Sequence, residues 1–180
     1  MDRVPEFKIV NIENAERLMA ADETRYHFKH VVSIGEPYST PPHNLHDSSF
    51  RRVLRLEFDD VTYRPHADEG GYVRASRDQI KSLIAFLGEV NEPILFHCAA
   101  GVSRSAAAAV IFACMKLGPG KEAEAMELVK LVRSIAHPNK HMLRLADDLL
   151  GRGGKIIETS FSIWEESEGN KLAILQERGT

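Results

Sequence analysis

The stretch ILFHCAAGVSRSAAAAV, residues 94–110, decides how this chain is read. An apolar run with strand character ends in His97 and Cys98, and a block of alanines with helix character begins at Ser105. Between them stand Ala99, Ala100, Gly101, Val102, Ser103 and Arg104. Small residues let a backbone turn sharply and bring successive N–H groups to one centre. Such a turn is an anion-binding nest, and the helix N-terminus behind it adds partial positive charge. Arg104 adds a planar fork of donors that matches two oxygens of a phosphate. A tetrahedral oxyanion, held by the amides of 99–104 and by Arg104, is the ligand this pattern suits. The same field favours the thiolate form of Cys98, the nucleophilic form of a cysteine. Ser105 is placed to donate its hydroxyl to that sulfur, and His97 to support the loop by packing and hydrogen bonding beside it.

The surroundings of this stretch are those of an α/β domain. Apolar segments at 7–10 (FKIV), 30–35 (HVVSIG), 52–58 (RVLRLEF) and 92–98 (EPILFHC) alternate with helical patterns. That alternation predicts a central, mostly parallel sheet flanked by helices on both faces, with the loop between a strand and a helix. In SRDQIKSLIAFLGEV, residues 76–90, Ile80, Leu83, Ile84 and Leu87 form one apolar stripe, and Ser76 with Gln79 has the spacing of a capping box. The helix after the loop stops at Gly118-Pro119. Two more amphipathic helices are expected in KEAEAMELVKLVRSIA (121–136) and HMLRLADDLLG (141–151), separated by Pro138. Residues 1–150 read as a single catalytic domain and 151–180 as a C-terminal tail. Within that tail GRGG reads as a joint, and KIIETSFSIW as a strand or a partner-binding arm.

Bulk properties narrow the function. With 43% hydrophobic and 27% charged residues in 180, the chain has the composition of a soluble globular domain. A net charge of -3 offers no field for nucleic acid or an anionic membrane, so an anionic substrate must be drawn by a few placed groups. No apolar h-region opens the chain and no apolar run is long enough to span a bilayer. The two cysteines, Cys98 and Cys114, suit a reducing cytoplasm. Cys114 falls within the buried helix and reads as core. His137 and His141 are interrupted by Pro138, and His43 and His46 lie in a proline-containing loop, so no metal site is expected. Oligomeric state is open.

HCAAGVSRS resembles the H-C-x5-R-[ST] loop of the cysteine-based protein tyrosine phosphatases, in the compact dual-specificity-like branch of bacterial-type single-domain enzymes. HVVSIGEP resembles that branch's early central strand, and VRSIAHPNKHMLRLAD its R-x4-P-N segment and final helix. The resemblance spans about residues 28–150. The HMLRLA after Asn139 departs from the family's usual glycine, aromatic and glutamine. What it implies is two-step hydrolysis of a phosphomonoester without metal or cofactor: attack by Cys98, capture of oxygens by Arg104, and an aspartate serving as acid and then base. The family's aspartate lies 30 to 40 residues before the cysteine, after a strand. Asp60, 38 positions ahead of Cys98, fits best, with Asp59 and Asp68 as alternatives. Asn139 is implied to shape the loop or place the water. The substrate is open between a phosphorylated protein, bearing phosphotyrosine or also phosphoserine and phosphothreonine, and a small nonprotein phosphomonoester; Tyr38, Tyr63 and Tyr72 are candidate aromatic walls. A rhodanese-type sulfurtransferase and an inactive phosphate-binding module are the competing readings.

Overall fold

The structure is a computed structural model that describes residues 4–21, 24, 26–43, 45, 51–61 and 71–165. Asp68, Tyr63 and His46 lie outside the described residues. Four strands, β1 (Phe7–Asn11), β2 (His30–Gly35), β3 (Arg52–Glu57) and β4 (Ile94–Cys98), form one sheet in the order β1-β4-β2-β3. All three pairings are parallel. The helices are α1 (Ile12–Ala20), α2 (Arg77–Gly88), α3 (Arg104–Leu117), α4 (Glu122–Val132), α5 (Lys140–Leu149) and α6 (155–165).

Every residue of β2 and of β4 is buried, as expected of parallel strands covered on both faces. Alternation along these strands sends Val32, Ile34, Ile94 and Phe96 into a large core with α2 to α5. Val31 and Leu95 point the other way, into a smaller core beneath Ala15 and Met19 of α1. α3 is buried without a break from Arg104 to Cys114, so its alanines let it lie close to the sheet and its neighbours. Phe112 fixes its lower half, with ring centroids 6.2 Å from Phe7 and 5.8 Å from Phe96. The capping box of Ser76 and Gln79 is present at the start of α2.

Two elements differ from the sequence reading. α1 follows β1 with no connecting loop, capped by the Asn11 side chain. The segment read as a strand or arm is the helix α6. Asp147 of α5 starts it, accepting from the backbone N–H of Gly154, Ile156 and Ile157 through its buried carboxylate. Ile156 and Trp164 then enter the main core. From α5, Lys140 donates to the carbonyl and hydroxyl of Ser160. Among the described residues no helix is long and apolar enough to cross a membrane.

His97 pairs with Val10 and Ser33 in the middle of the sheet and is fully buried. Burial, with the charge of Arg55 adding to it, pushes its imidazole from 6.5 down to about 4. The unfolded chain therefore takes up this proton at a higher pH than the folded one. The stability contributed is full above about 6.5 and is lost as pH falls from there towards 4. Between pH 7 and 4.5 the protein is expected to lose about 2–3 kcal/mol more than a His97→Leu variant does. Urea unfolding of both at the two pH values measures the difference.

Candidate active site

The site lies at the C-terminal ends of the parallel strands, where open α/β sheets build their clefts. β4 delivers Cys98, 1% exposed, at the base of the loop. Its Sγ lies 3.2 Å from the Ser105 hydroxyl and accepts the N–H of Gly101 at 3.3 Å.

The loop's shape is set from outside. The carbonyl of Ala99 accepts from the N–H of Ile12, and those of Ala100 and Gly101 from the guanidinium of Arg133, at 3.4 and 3.0 Å. Val102 accepts from the N–H of His137 at 2.9 Å, and Ser103 from the N–H groups of Ala107 and Asn139. Across a planar trans peptide the C=O and the following N–H point in opposite directions. Five carbonyls held on the outside therefore turn the amides of 100–104 inward. Gly101 permits the turn, with φ +67° and a Cβ position only 2.3 Å from the backbone of Val10. The Ser103 hydroxyl makes no cap to α3, leaving that helix's first N–H groups to the loop's centre.

Arg104 is 3% exposed and held on two sides. One nitrogen, Nη1, donates to the carbonyl of Phe58 at 2.8 Å, and Nη2 donates to the Glu36 carboxylate at 2.5 Å. Its Nε is buried with no hydrogen bond among the described residues and lies 3.9 Å from Asp60 Oδ2. Burial acts to raise the pKa of Glu36, but the Arg104 hydrogen bond and charge outweigh it and hold the carboxyl below its ordinary range.

Asp60 follows β3 and is carried to the rim. Its Oδ1 accepts from the Ser103 hydroxyl at 2.6 Å and from the Asn139 amide at 2.8 Å. Asn139 caps α5 with its side-chain oxygen and spends its nitrogen on Asp60. Asp59 is placed elsewhere: its carboxylate and backbone N–H pair with the backbone of Val73, which fixes the turn. His97 lies next to Cys98 on the strand, but its ring makes no hydrogen bond among the described residues. Burial, with Glu122 second, pushes the core thiol of Cys114 up to about 12. His141 bonds to the carbonyl of Ala75. Tyr38 is fully exposed in the turn after Glu36, and Tyr72 is half-exposed.

Two participants were absent from the sequence reading of the site. Glu36 carried a signal, since an acid directly after a buried strand stands at the cleft end of the sheet. Arg133 carried only its position in the R-x4-P-N segment, because its task depends on which way two carbonyls face.

A strand-ending cysteine, a cradle of inward amides and a buried arginine thus meet at one end of the sheet, an arrangement suited to an anion. The family described as dual specificity phosphatase, catalytic domain, matches residues 10–147, and the chain belongs to it. No sequence among the curated proteins matches the chain. The fold is similar to the crystal structure of DUSP15, at 21% identity with 88% of this chain and 92% of that one covered and a TM-score of 0.56. It is similar to the Yvh1 phosphatase domain from Chaetomium thermophilum, at 20% identity, 84% and 94% coverage and a TM-score of 0.57. It also resembles Tk-PTP in the active form, at 23% identity, 81% and 90% coverage and a TM-score of 0.57.

Breaking the outer brace is expected to damage anion binding before it damages the fold. Arg133→Met should weaken inorganic phosphate or vanadate about tenfold, because two loop carbonyls lose their donors. Calorimetric titration and a melting curve, read together, separate the two effects. Gly101→Ala should do worse, costing about 1–3 kcal/mol in backbone conformation alone and abolishing anion binding.

Proposed function

We propose that the chain hydrolyses phosphate monoesters of proteins, phosphotyrosine foremost and phosphoserine or phosphothreonine with it, through a phosphocysteine at Cys98. The observation that carries this reading is the set of outward carbonyls that faces the loop's amides toward Cys98 Sγ.

The Cys98 thiolate attacks phosphorus in line, forming the S–P bond as the P–O bond to the leaving group breaks. The amides of 100–104 and Arg104 Nε bear the charge on the equatorial oxygens. Asp60, in its protonated form, gives its proton to the leaving oxygen. With Oδ1 committed to Ser103 and Asn139, Oδ2 is the oxygen that transfers it. In the second half, Asp60 takes a proton from water as that water attacks phosphorus and the S–P bond breaks. Ser105, 3.2 Å from the sulfur, donates to the departing thiolate. Glu36 and the Phe58 carbonyl keep the guanidinium still throughout. A reducing cytoplasm suits a reaction that needs a free thiol.

With a phosphotyrosyl peptide, Cys98→Ser is expected to abolish turnover yet keep phosphate binding. Arg104→Lys should lose about 10²–10³ in kcat/KM, because a point charge cannot reproduce the fork. Asp60→Asn should lose about 10² in kcat and flatten the basic limb of the pH–rate profile. Normal turnover in Asp60→Asn would remove that residue from the mechanism. Thiosulfate-to-cyanide transfer without phosphate release would replace the reading with a sulfurtransferase. Tight phosphopeptide binding by the unaltered protein without turnover would replace it with a binding module.

A further inference from the structure

We propose that the concavity along the outer edge of the sheet, beside β1, is a second anion site that takes a small organic molecule bearing more than one phosphate charge. β1 is an edge strand, and α1 and the end of α4 rise on either side of it to enclose a cavity of about 480 Å³. Lys8, Arg17 and Arg133 line it, with the polar residues Asn14 and Thr24, and none of its lining residues is acidic. Among the described residues neither Lys8 nor Arg17 has an ion pair, and the guanidinium of Arg133 is bonded only to loop carbonyls. In a chain of net charge -3, three cations around one hollow without a carboxylate form a local positive field that attracts an anion.

The backbone is arranged compatibly. The C-terminus of α1 faces this cavity, and its exposed carbonyls would repel an anion. Two of them are occupied: Leu18 accepts from the Thr24 hydroxyl at 2.8 Å and Arg17 from the N–H of Ala21 at 3.0 Å. The volume lies within the range of about 300–1,000 Å³ typical of small-molecule sites and exceeds what inorganic phosphate fills. The cavity is separate from the catalytic cradle, because Arg133 reaches the loop on its carbonyl side. It nevertheless touches that loop through two residues, Arg133 and Val10, against which Gly101 packs. A bound anion would compete with the Ala100 and Gly101 carbonyls for Arg133. The ligand chemistry, clustered phosphate, comes from either a soluble metabolite or a lipid headgroup.

The test uses the full chain with Arg104→Ala to disable the cradle, and also the unaltered chain saturated with vanadate, so that poor folding of the variant cannot hide the answer. Pyrophosphate is titrated by calorimetry in one arm. In the other, sedimentation is measured with phosphatidylcholine vesicles with and without phosphatidic acid. Binding is expected to persist in both backgrounds and to weaken at least about tenfold on adding Lys8→Ala with Arg17→Ala, both exposed positions. Binding of pyrophosphate assigns a soluble ligand. Binding of phosphatidic acid vesicles alone assigns a lipid headgroup. No binding in either arm, or binding indifferent to the double substitution, overturns the site. None of these readouts requires turnover, so a failure of the catalytic reading would leave them intact.

Discussion

The structure depends on how the carbonyls of residues 99–103 are disposed of. A loop that turns its amides to one centre must send its carbonyls outward, and here each of those carbonyls has a donor. The donors come from Ile12 at the start of α1, from Arg133, and from the backbone of His137 and Asn139. Segments far apart in sequence thus converge on the back of one short turn. The large core holds those segments in place, with α3 as its axis. The loop's geometry is therefore a property of the whole sheet and its helices, and the loop inherits it.

On the front of the loop a second network has the opposite character. Ser103, Asn139 and Arg104 surround Asp60, while Glu36 and the Phe58 carbonyl surround Arg104. Each charged group is matched by another, so the site carries an acid and a cation side by side without leaving either orphaned, except at Arg104 Nε. That one donor is where a charged oxygen is most strongly favoured.

Much of this was legible in the sequence where physics is local. All four strands and the helices α2 to α5 announced themselves by apolar runs, a stripe, a capping box and glycine–proline stops. α1 did not, because it buries only Ala15 and Met19 and so shows too thin a stripe. α6 did not, because its cap is Asp147, supplied from the preceding helix across a glycine-rich turn, and local capping rules look for a neighbour. Cys98 and Arg104 were legible by spacing. Asp60 was preferred over Asp59 by its spacing and its place after a strand, and the structure adds where the two carboxylates go: one meets Ser103 and Asn139, the other the backbone of Val73. Glu36 and Arg133 act through contacts across 68 and 32 residues, and no periodicity encodes those.

Helix α5 links two places at once. Asn139 at its start holds Asp60, while Lys140 and Asp147 along it hold α6. Cutting the chain at residue 150 would leave the Asp147 carboxylate and the Lys140 ammonium without these partners, and would uncover the apolar surface now beneath Ile156 and Trp164. The damage would travel down one rigid rod to the residue that aims the acid. The last helix is thus a keystone for a carboxylate, Asp60, at the far end of α5.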